Sequence, residues 1–277
     1  MSILSINSTY RSNTVDNTDA ELRIKHRDKY VITEKPVQFT PLDILCKRLH
    51  PDTDYDKAVI VLRHSIRPIY NWESWVELTD LGKYTAELAG EHIAQLRGSM
   101  QYFSTNTVRT KQTAYYMYKG RNKNTQKDSV INRYEDVPLT YNNGIFGLDF
   151  VKNETKYNQY THDYGYNNVW YDYIYGTGPI PEDPSMIVHK YMDAFNDINI
   201  ESERFITSAL NATNKMSIII SHDQNVLPLV AYATDYKVNF KTYHSGSWLN
   251  FISGIAILKK GNILAYVPIT GTATGYN

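Results

Sequence analysis

Ala58-Val59-Ile60-Val61-Leu62-Arg63-His64-Ser65-Ile66-Arg67-Pro68 carries the fold in its first half and the chemistry in its second. Ala58-Val59-Ile60-Val61 is short, apolar and β-branched, which is the pattern of a buried strand. Packing alone gives no reason for the charged residues beyond it. Arg-His-x-x-Arg at the carboxyl end of such a strand places two guanidinium groups and an imidazole in the crevice where α/β sheets bind ligands. A phosphate dianion suits that cluster. Arginine offers planar, bidentate, permanently charged donors, and histidine can act as a nucleophile near neutral pH.

Two later segments repeat the arrangement. Met100-Gln101-Tyr102-Phe103 reads as a second strand, and Ser104-Thr105-Asn106-Thr107-Val108-Arg109-Thr110-Lys111-Gln112-Thr113-Ala114 comes after it and opens a helical pattern. Arg109 stands at the head of that helix, where free backbone N–H groups and the positive dipole end favour an anion. Met216-Ser217-Ile218-Ile219-Ile220-Ser221 reads as a third strand and ends in His222-Asp223-Gln224-Asn225. Singly, each has a plainer reading: a solvated strand end, an ordinary basic residue at a helix start, a capping Asp beside a satisfied histidine. Three apolar strands that all end this way favour a shared site.

Residues 62–68 resemble the Arg-His-Gly motif of the histidine phosphatase superfamily. Arg109 is similar to the arginine of that family's Arg-Thr-x-x-Thr/Ser-Ala helix start, and His222-Asp223 resembles the His-Asp motif of its acid phosphatase branch. Leu78-Thr79-Asp80-Leu81-Gly82 matches a Leu-Thr-x-x-Gly helix start, and Trp248-Leu249-Asn250-Phe251-Ile252-Ser253-Gly254-Ile255 resembles a late strand of small bacterial members. The resemblance runs in order over roughly residues 57 to 268. It implies an α/β fold with a mainly parallel central sheet flanked by helices on both faces, phosphoglycerate-mutase-like, with a cap insertion. It also implies that His64 attacks phosphorus to give a phosphohistidine. Arg63, Arg67, Arg109 and His222 would then clamp the phosphate oxygens, and Asp223 would protonate the leaving group. Neither metal nor cofactor is implied.

Two departures stand out. Ser65 replaces the family's glycine, so the loop must accept a Cβ. Pro68 comes directly after Arg67, whereas phytase-like members place a residue between, so phytate hydrolysis is not implied. Alternatives sharing these residues are a mutase or phosphotransferase with the same nucleophile, and a catalytically silent module that binds a phosphorylated ligand.

The 277 residues carry 29 Lys and Arg against 29 Asp and Glu, so no global field recruits nucleic acid or a membrane surface. The expected partner is a small phosphorylated substrate; oligomeric state is left open. The single cysteine, Cys46, excludes an intrachain disulfide and reads as a small buried hydrophobe. No apolar run is long enough to span a bilayer and no signal-peptide pattern opens the chain, which reads as cytoplasmic, or exported if a leader was removed.

Residues 1–30 are polar and aperiodic and read as a disordered or draped extension. Residues 31–120 and 201–277 read as the catalytic core. Residues 121–200 read as a Tyr- and Asn-rich cap, with a helical pattern over residues 186–195. Within the core, residues 42–49 form a helix. Thr79 caps another whose apolar stripe is Leu81, Tyr84, Leu88, Ile93 and Leu96, and a third runs from Arg109 to Lys119 with Gly120 at its end. A helix from Glu201 to Asn211 leads into the Met216 strand. A helix over Val226 to Thr234 carries Pro228 in its first turn. Residues 255–258 and 263–267 form a hairpin at the sheet edge. Tyr70, Asn71 and Trp72 come just after the catalytic loop and are candidate substrate contacts. The tyrosines between Tyr157 and Tyr175 read first as packing for a lobe poor in aliphatics. With few basic residues in the cap, the expected substrate is a small, singly phosphorylated sugar-like or aromatic ester.

Overall fold

The computed structural model describes residues 31–32, 40–49, 55–68, 71, 73–145, 149–176, 183, 186–237 and 249–272. Among the described residues seven strands form one sheet: β1 (Val31–Ile32), β2 (Thr40–Pro41), β3 (Lys57–Arg63), β4 (Gln101–Ser104), β5 (Met216–Ser221), β6 (Gly254–Lys260) and β7 (Ile263–Thr270). The order is β1-β7-β6-β3-β5-β4, with β2 also on β7. β3, β5 and β4 run parallel, as do β1 and β2 against β7; β6 is antiparallel to both β3 and β7. The C-terminal hairpin expected at the sheet edge lies inside it, because β6 joins β3 and the short β1 and β2 cover β7.

Alternation along the strands splits the core in two. Ala58, Ile60 and Leu62 face one layer with Ile218 and Ile220, packed by α1 (Leu42–Arg48), α2 (Asp80–Ile93) and α3 (Val108–Asn122). Val59, Val61 and Ile219 face the other, packed by α5 (Tyr166–Tyr175), α6 (Ile198–Ala212) and α7 (Asp223–Ala233). α4 (Glu154–Tyr164) pairs with α5. Cys46 is buried as expected.

Several helices depart from the sequence reading. Thr79 does cap α2, accepting from the Gly82 N–H at 3.0 Å, but Leu81, Tyr84 and Leu88 are exposed. The buried face is instead Gly82, Ala86, Ala89, Gly90 and Ile93. α2 packs against α3 backbone to backbone: a Cβ on Gly90 would meet the Met117 carbonyl oxygen at 2.1 Å, and one on Gly120 the Glu87 carbonyl oxygen at 1.9 Å. Gly120 therefore lies within α3 as a contact point and does not end it. The tyrosine-rich segment packs into the side of the core that holds α5, α6 and α7, with Tyr173 stacked on Phe195 at 4.1 Å and Trp170 edge-on to Phe195 at 5.1 Å.

The helix expected over residues 186–195 is absent. Tyr191 takes φ 60°, a left-handed conformation that breaks a helix, and its carbonyl accepts from Ala194 N–H at 2.8 Å. α7 begins at Asp223, earlier than expected, because His222 is extended and serves as its N-cap. Pro228 thus sits in the second turn, where its missing N–H costs a bond to Gln224. The late strand begins only at Gly254, leaving residues 249–253 as a turn. No described helix is long and apolar enough to cross a membrane. Residues 1–30 lie outside the described residues.

Candidate active site

β3, β5 and β4 are adjacent and parallel, so their carboxyl ends share one rim. Arg63 pairs with Ser221 across β3 and β5, and Ser104 with Ile220 across β4 and β5. One residue further on, the His64 N–H donates to the Ser221 carbonyl at 2.9 Å and the Thr105 N–H to the Ile220 carbonyl at 3.1 Å. Register alone thus sets His64, Thr105 and His222 side by side. The His64 and His222 rings are edge to face, 5.5 Å between centroids.

His64 is buried, and its Nδ1 lies 2.7 Å from the Ser65 carbonyl. A carbonyl only accepts, so Nδ1 carries the proton and Nε2 keeps its lone pair. Ser65 has no positive φ, and its side chain ties the loop down. Its Oγ donates to the Gly82 carbonyl at 2.8 Å, and its N–H donates to Thr113 Oγ1 at 2.9 Å. The head of α2 closes on the same loop: the Thr79 N–H donates to the Ile66 carbonyl at 3.0 Å, and a Cβ on Gly82 would stand 2.1 Å from that oxygen. Only glycine allows the approach.

Arg63, Arg67 and Arg109 are all buried at this rim. Arg63 donates to the Leu249 carbonyl, lies 3.3 Å from the Asp223 carboxylate, and stacks over Phe251 at 4.4 Å from the ring centroid. That cation–π contact is worth roughly 0.5–2 kcal/mol. Phe251 also packs beside His64, centroid to centroid 5.6 Å. Arg109 donates to the Glu73 carbonyl at 2.8 Å, and Arg67 to the Pro68 carbonyl at 2.9 Å.

His222 has both ring nitrogens engaged. Arg109 Nη2 approaches Nδ1 at 3.4 Å, and Nε2 lies 3.0 Å from Thr105 Oγ1. Guanidinium can only donate, so Nδ1 accepts and Nε2–H donates to the threonine, which passes its own proton toward Thr110 Oγ1 at 3.0 Å. His222, expected as a phosphate contact, here orients Arg109. Asp223, the first residue of α7, accepts from the Gln224 N–H at 3.0 Å.

Three guanidinium groups converge here with the expected carboxylate, Asp223, and the electrostatics reflect it. Burial first, then Arg63 and Arg109, bring Arg67 down to about 10. Burial, Arg63, His222 and Arg109 hold the His64 pKa well below its usual value. Burial and Arg109 bring His222 to about 3, against the opposing pull of Asp223. The Tyr166 hydroxyl reaches the same region, its pKa raised by burial and then by the negative charge of Asp223.

No protein-family model matches the chain, and no curated protein matches it. Among solved structures the chain is similar to a phosphoglycerate mutase from Bacillus anthracis str. Sterne, at 14% identity over 79% of this chain and 93% of that one, with a TM-score of 0.41. It is also similar to a mycobacterial glucosyl-3-phosphoglycerate phosphatase, at 11% identity over 80% of this chain and 99% of that one, with a TM-score of 0.42. That phosphatase in complex with inorganic phosphate aligns at 10% identity over 79% of this chain and 98% of that one, with a TM-score of 0.41. What the rim does is read from its own residues.

The structure brings together all six expected catalytic and phosphate-binding residues. Tyr70 and Trp72 lie outside the described residues. Asn71 is exposed and accepts from the Glu73 N–H at 3.4 Å, a local turn contact. Sequence reasoning did not single out Thr105, Thr113, Phe251 or the Leu249 carbonyl. Phe251 sits in a segment whose family resemblance was noticeable, but its turn was not legible. Ile252 there takes φ 59°, which a β-branched residue rarely adopts. The turn is held by Ile252 N–H to the Arg63 carbonyl at 3.2 Å and Arg63 N–H to the Ser253 carbonyl at 2.9 Å.

Proposed function

We propose that the chain is a phosphomonoesterase that works through a phosphohistidine on His64. The observation that carries this reading is the 2.7 Å contact of His64 Nδ1 with the Ser65 carbonyl, made amid three buried arginines. It leaves Nε2 unprotonated beside a positive pocket, the state an attacking imidazole requires.

In this reading Arg63, Arg67 and Arg109 take the equatorial oxygens of a phosphate dianion and neutralise the charge that spreads over them in the transition state. Nε2 of His64 attacks phosphorus in line as the bond to the ester oxygen breaks. Phosphate seated on Arg63 competes with the Asp223 carboxylate for that guanidinium, and Asp223 then carries the proton that the departing alkoxide takes. Water, deprotonated by Asp223, opens the phosphohistidine and returns both residues to their starting state. Arg109 moving onto phosphate frees Nδ1 of His222, which joins the clamp as a donor by taking up a proton that the adjacent dianion favours. A sugar-like or aromatic monoester fits the scarcity of cations beyond the arginines: Lys156, at the start of α4, is paired with Asp193 at 2.6 Å.

Turnover of a chromogenic phosphate ester, measured with and without chelator, tests the reading. Activity should survive the chelator, be inhibited by vanadate, and drop by about 10⁴-fold or more in His64→Ala. Acid quench of the wild-type chain with labelled substrate should trap an acid-labile phosphoenzyme. Full activity in His64→Ala would sink the mechanism. A phosphoenzyme that passes its phosphoryl group to added alcohols faster than to water would make the chain a phosphotransferase.

A further inference from the structure

A cleft of about 330 Å³ opens beside the catalytic rim, where the start of α7 meets α4 and α5. Its volume is at the lower end of those that hold small molecules. Gln224 and Asn225, the two residues after Asp223, form one wall. Asp149 and Glu154 contribute two carboxylates to the lining, and Tyr157 and Trp170 an aromatic floor. The Trp170 indole N–H donates to the Tyr157 hydroxyl at 3.3 Å, which fixes that hydroxyl within the floor. Among the described residues the lining holds no lysine or arginine. The region is therefore bipolar, with three guanidinium groups at the phosphate end and two carboxylates with amides at the other.

We propose that this cleft receives the alcohol part of the substrate and selects a hydroxyl-rich group that is uncharged or amine-bearing over one carrying a carboxylate or a second phosphate. The placement rests on the phosphatase reading, because the cleft adjoins the proton donor of the proposed reaction. Carboxylate and amide oxygens accept from hydroxyl and ammonium groups, and an aromatic floor suits the C–H face of a ring. An anionic alcohol would meet two like charges with no cation among the described lining residues to offset them.

Three esters of similar size separate the charges: glucosamine 6-phosphate, glucose 6-phosphate and 6-phosphogluconate. Their binding to the His64→Ala chain, read by calorimetry, needs no turnover. Affinity should fall in that order, with about tenfold or more between the amine and the acid. Asp149→Asn combined with Glu154→Gln should bring the three within about threefold of one another. Gln224→Lys, which adds a cation to the wall, should favour 6-phosphogluconate and provides a second test if the double variant folds poorly. Equal binding of 6-phosphogluconate in the parent, or an order that survives both sets of changes, would overturn the assignment. A chain that binds in the expected order yet turns over no ester refutes the phosphatase reading and leaves the cleft assignment standing.

Discussion

The Asp223 carboxylate stands 3.3 Å from the Arg63 guanidinium through one oxygen and accepts the Gln224 N–H at 3.0 Å through the other. Both oxygens are held, so the group is fixed against the arginines of the rim. Asp223→Asn retains an oxygen for the Gln224 N–H but cannot deliver a proton. It should lower kcat for alkyl phosphates by about 10²–10⁴-fold and for nitrophenyl phosphate far less, because a good leaving group departs unaided. Equal losses for the two esters would assign the acid to another residue.

Thr105 holds Nε2 of His222 at 3.0 Å, and His222 in turn meets Arg109 at 3.4 Å. Thr105→Val keeps the volume and removes the hydroxyl. Loss of its hydrogen bond to His222, roughly 1–1.5 kcal/mol, should lower kcat/KM about tenfold. The same variant should weaken competitive inhibition by inorganic phosphate. Thr105→Ser should restore most of both. An unchanged phosphate Ki in Thr105→Val would mean that the threonine does not position the clamp.

Gly82→Ala drives a methyl group against the Ile66 carbonyl oxygen, 2.1 Å away in the present geometry. The loop must shift, at a cost of about 1–3 kcal/mol or more. Gly261→Ala makes an instructive contrast, since residue 261 has φ 56° with nothing within 4 Å of its Cβ position. Its cost is backbone strain alone, about 1–2 kcal/mol. Both variants should lower Tm in thermal melts, and only Gly82→Ala should also lower kcat.

The two site histidines give stability a sign with pH. In the unfolded chain each takes a proton near its ordinary value of 6.5, whereas the folded chain keeps His222 neutral down to about 3 and His64 neutral well below 6.5. The unfolded state therefore binds more protons as pH falls below 6.5, and the folded state loses up to about 1.4 kcal/mol per pH unit per histidine. Above pH 6.5 neither histidine contributes a slope. Denaturant melts between pH 7.5 and 4.5 should show His222→Asn with a shallower decline than wild type. Parallel declines would place the His222 proton in the folded state as well.

The strand ends were legible because Ala58-Val59-Ile60-Val61 and Ile218-Ile219-Ile220 are too apolar and too short to be anything but central strands, and polar residues come directly after them. Their order in the sheet was partly hidden. A Gly261 turn signals a hairpin, but nothing local says that β6 will pair with β3. The buried face of α2 differs from the apolar stripe for a physical reason: counting apolar side chains picks Leu81, Tyr84 and Leu88, whereas close backbone approach, to the Ile66 loop at Gly82 and to α3 at Gly90, buries the face of small residues. Arg63, His64, Arg67, Arg109, His222 and Asp223 were legible as ionisable residues at strand and helix ends. Thr105 and Phe251 act through contacts across the sheet, which no spacing along the chain encodes.

The position of β3 has a consequence for how the protein comes into being. This strand ends at Arg63, yet its two neighbours are β5, which starts at Met216, and β6, which starts at Gly254. A ribosome has therefore made His64 long before either flanking strand exists, and the nascent segment must wait, unpaired and apolar, for most of the chain to emerge. Contacts so distant along the chain close late and slowly. An exposed run such as residues 58–62 is a natural target for chaperones during that interval. The rim cannot assemble on a partly synthesised chain, so His64 reaches its folded setting only once the β6–β7 hairpin is in place.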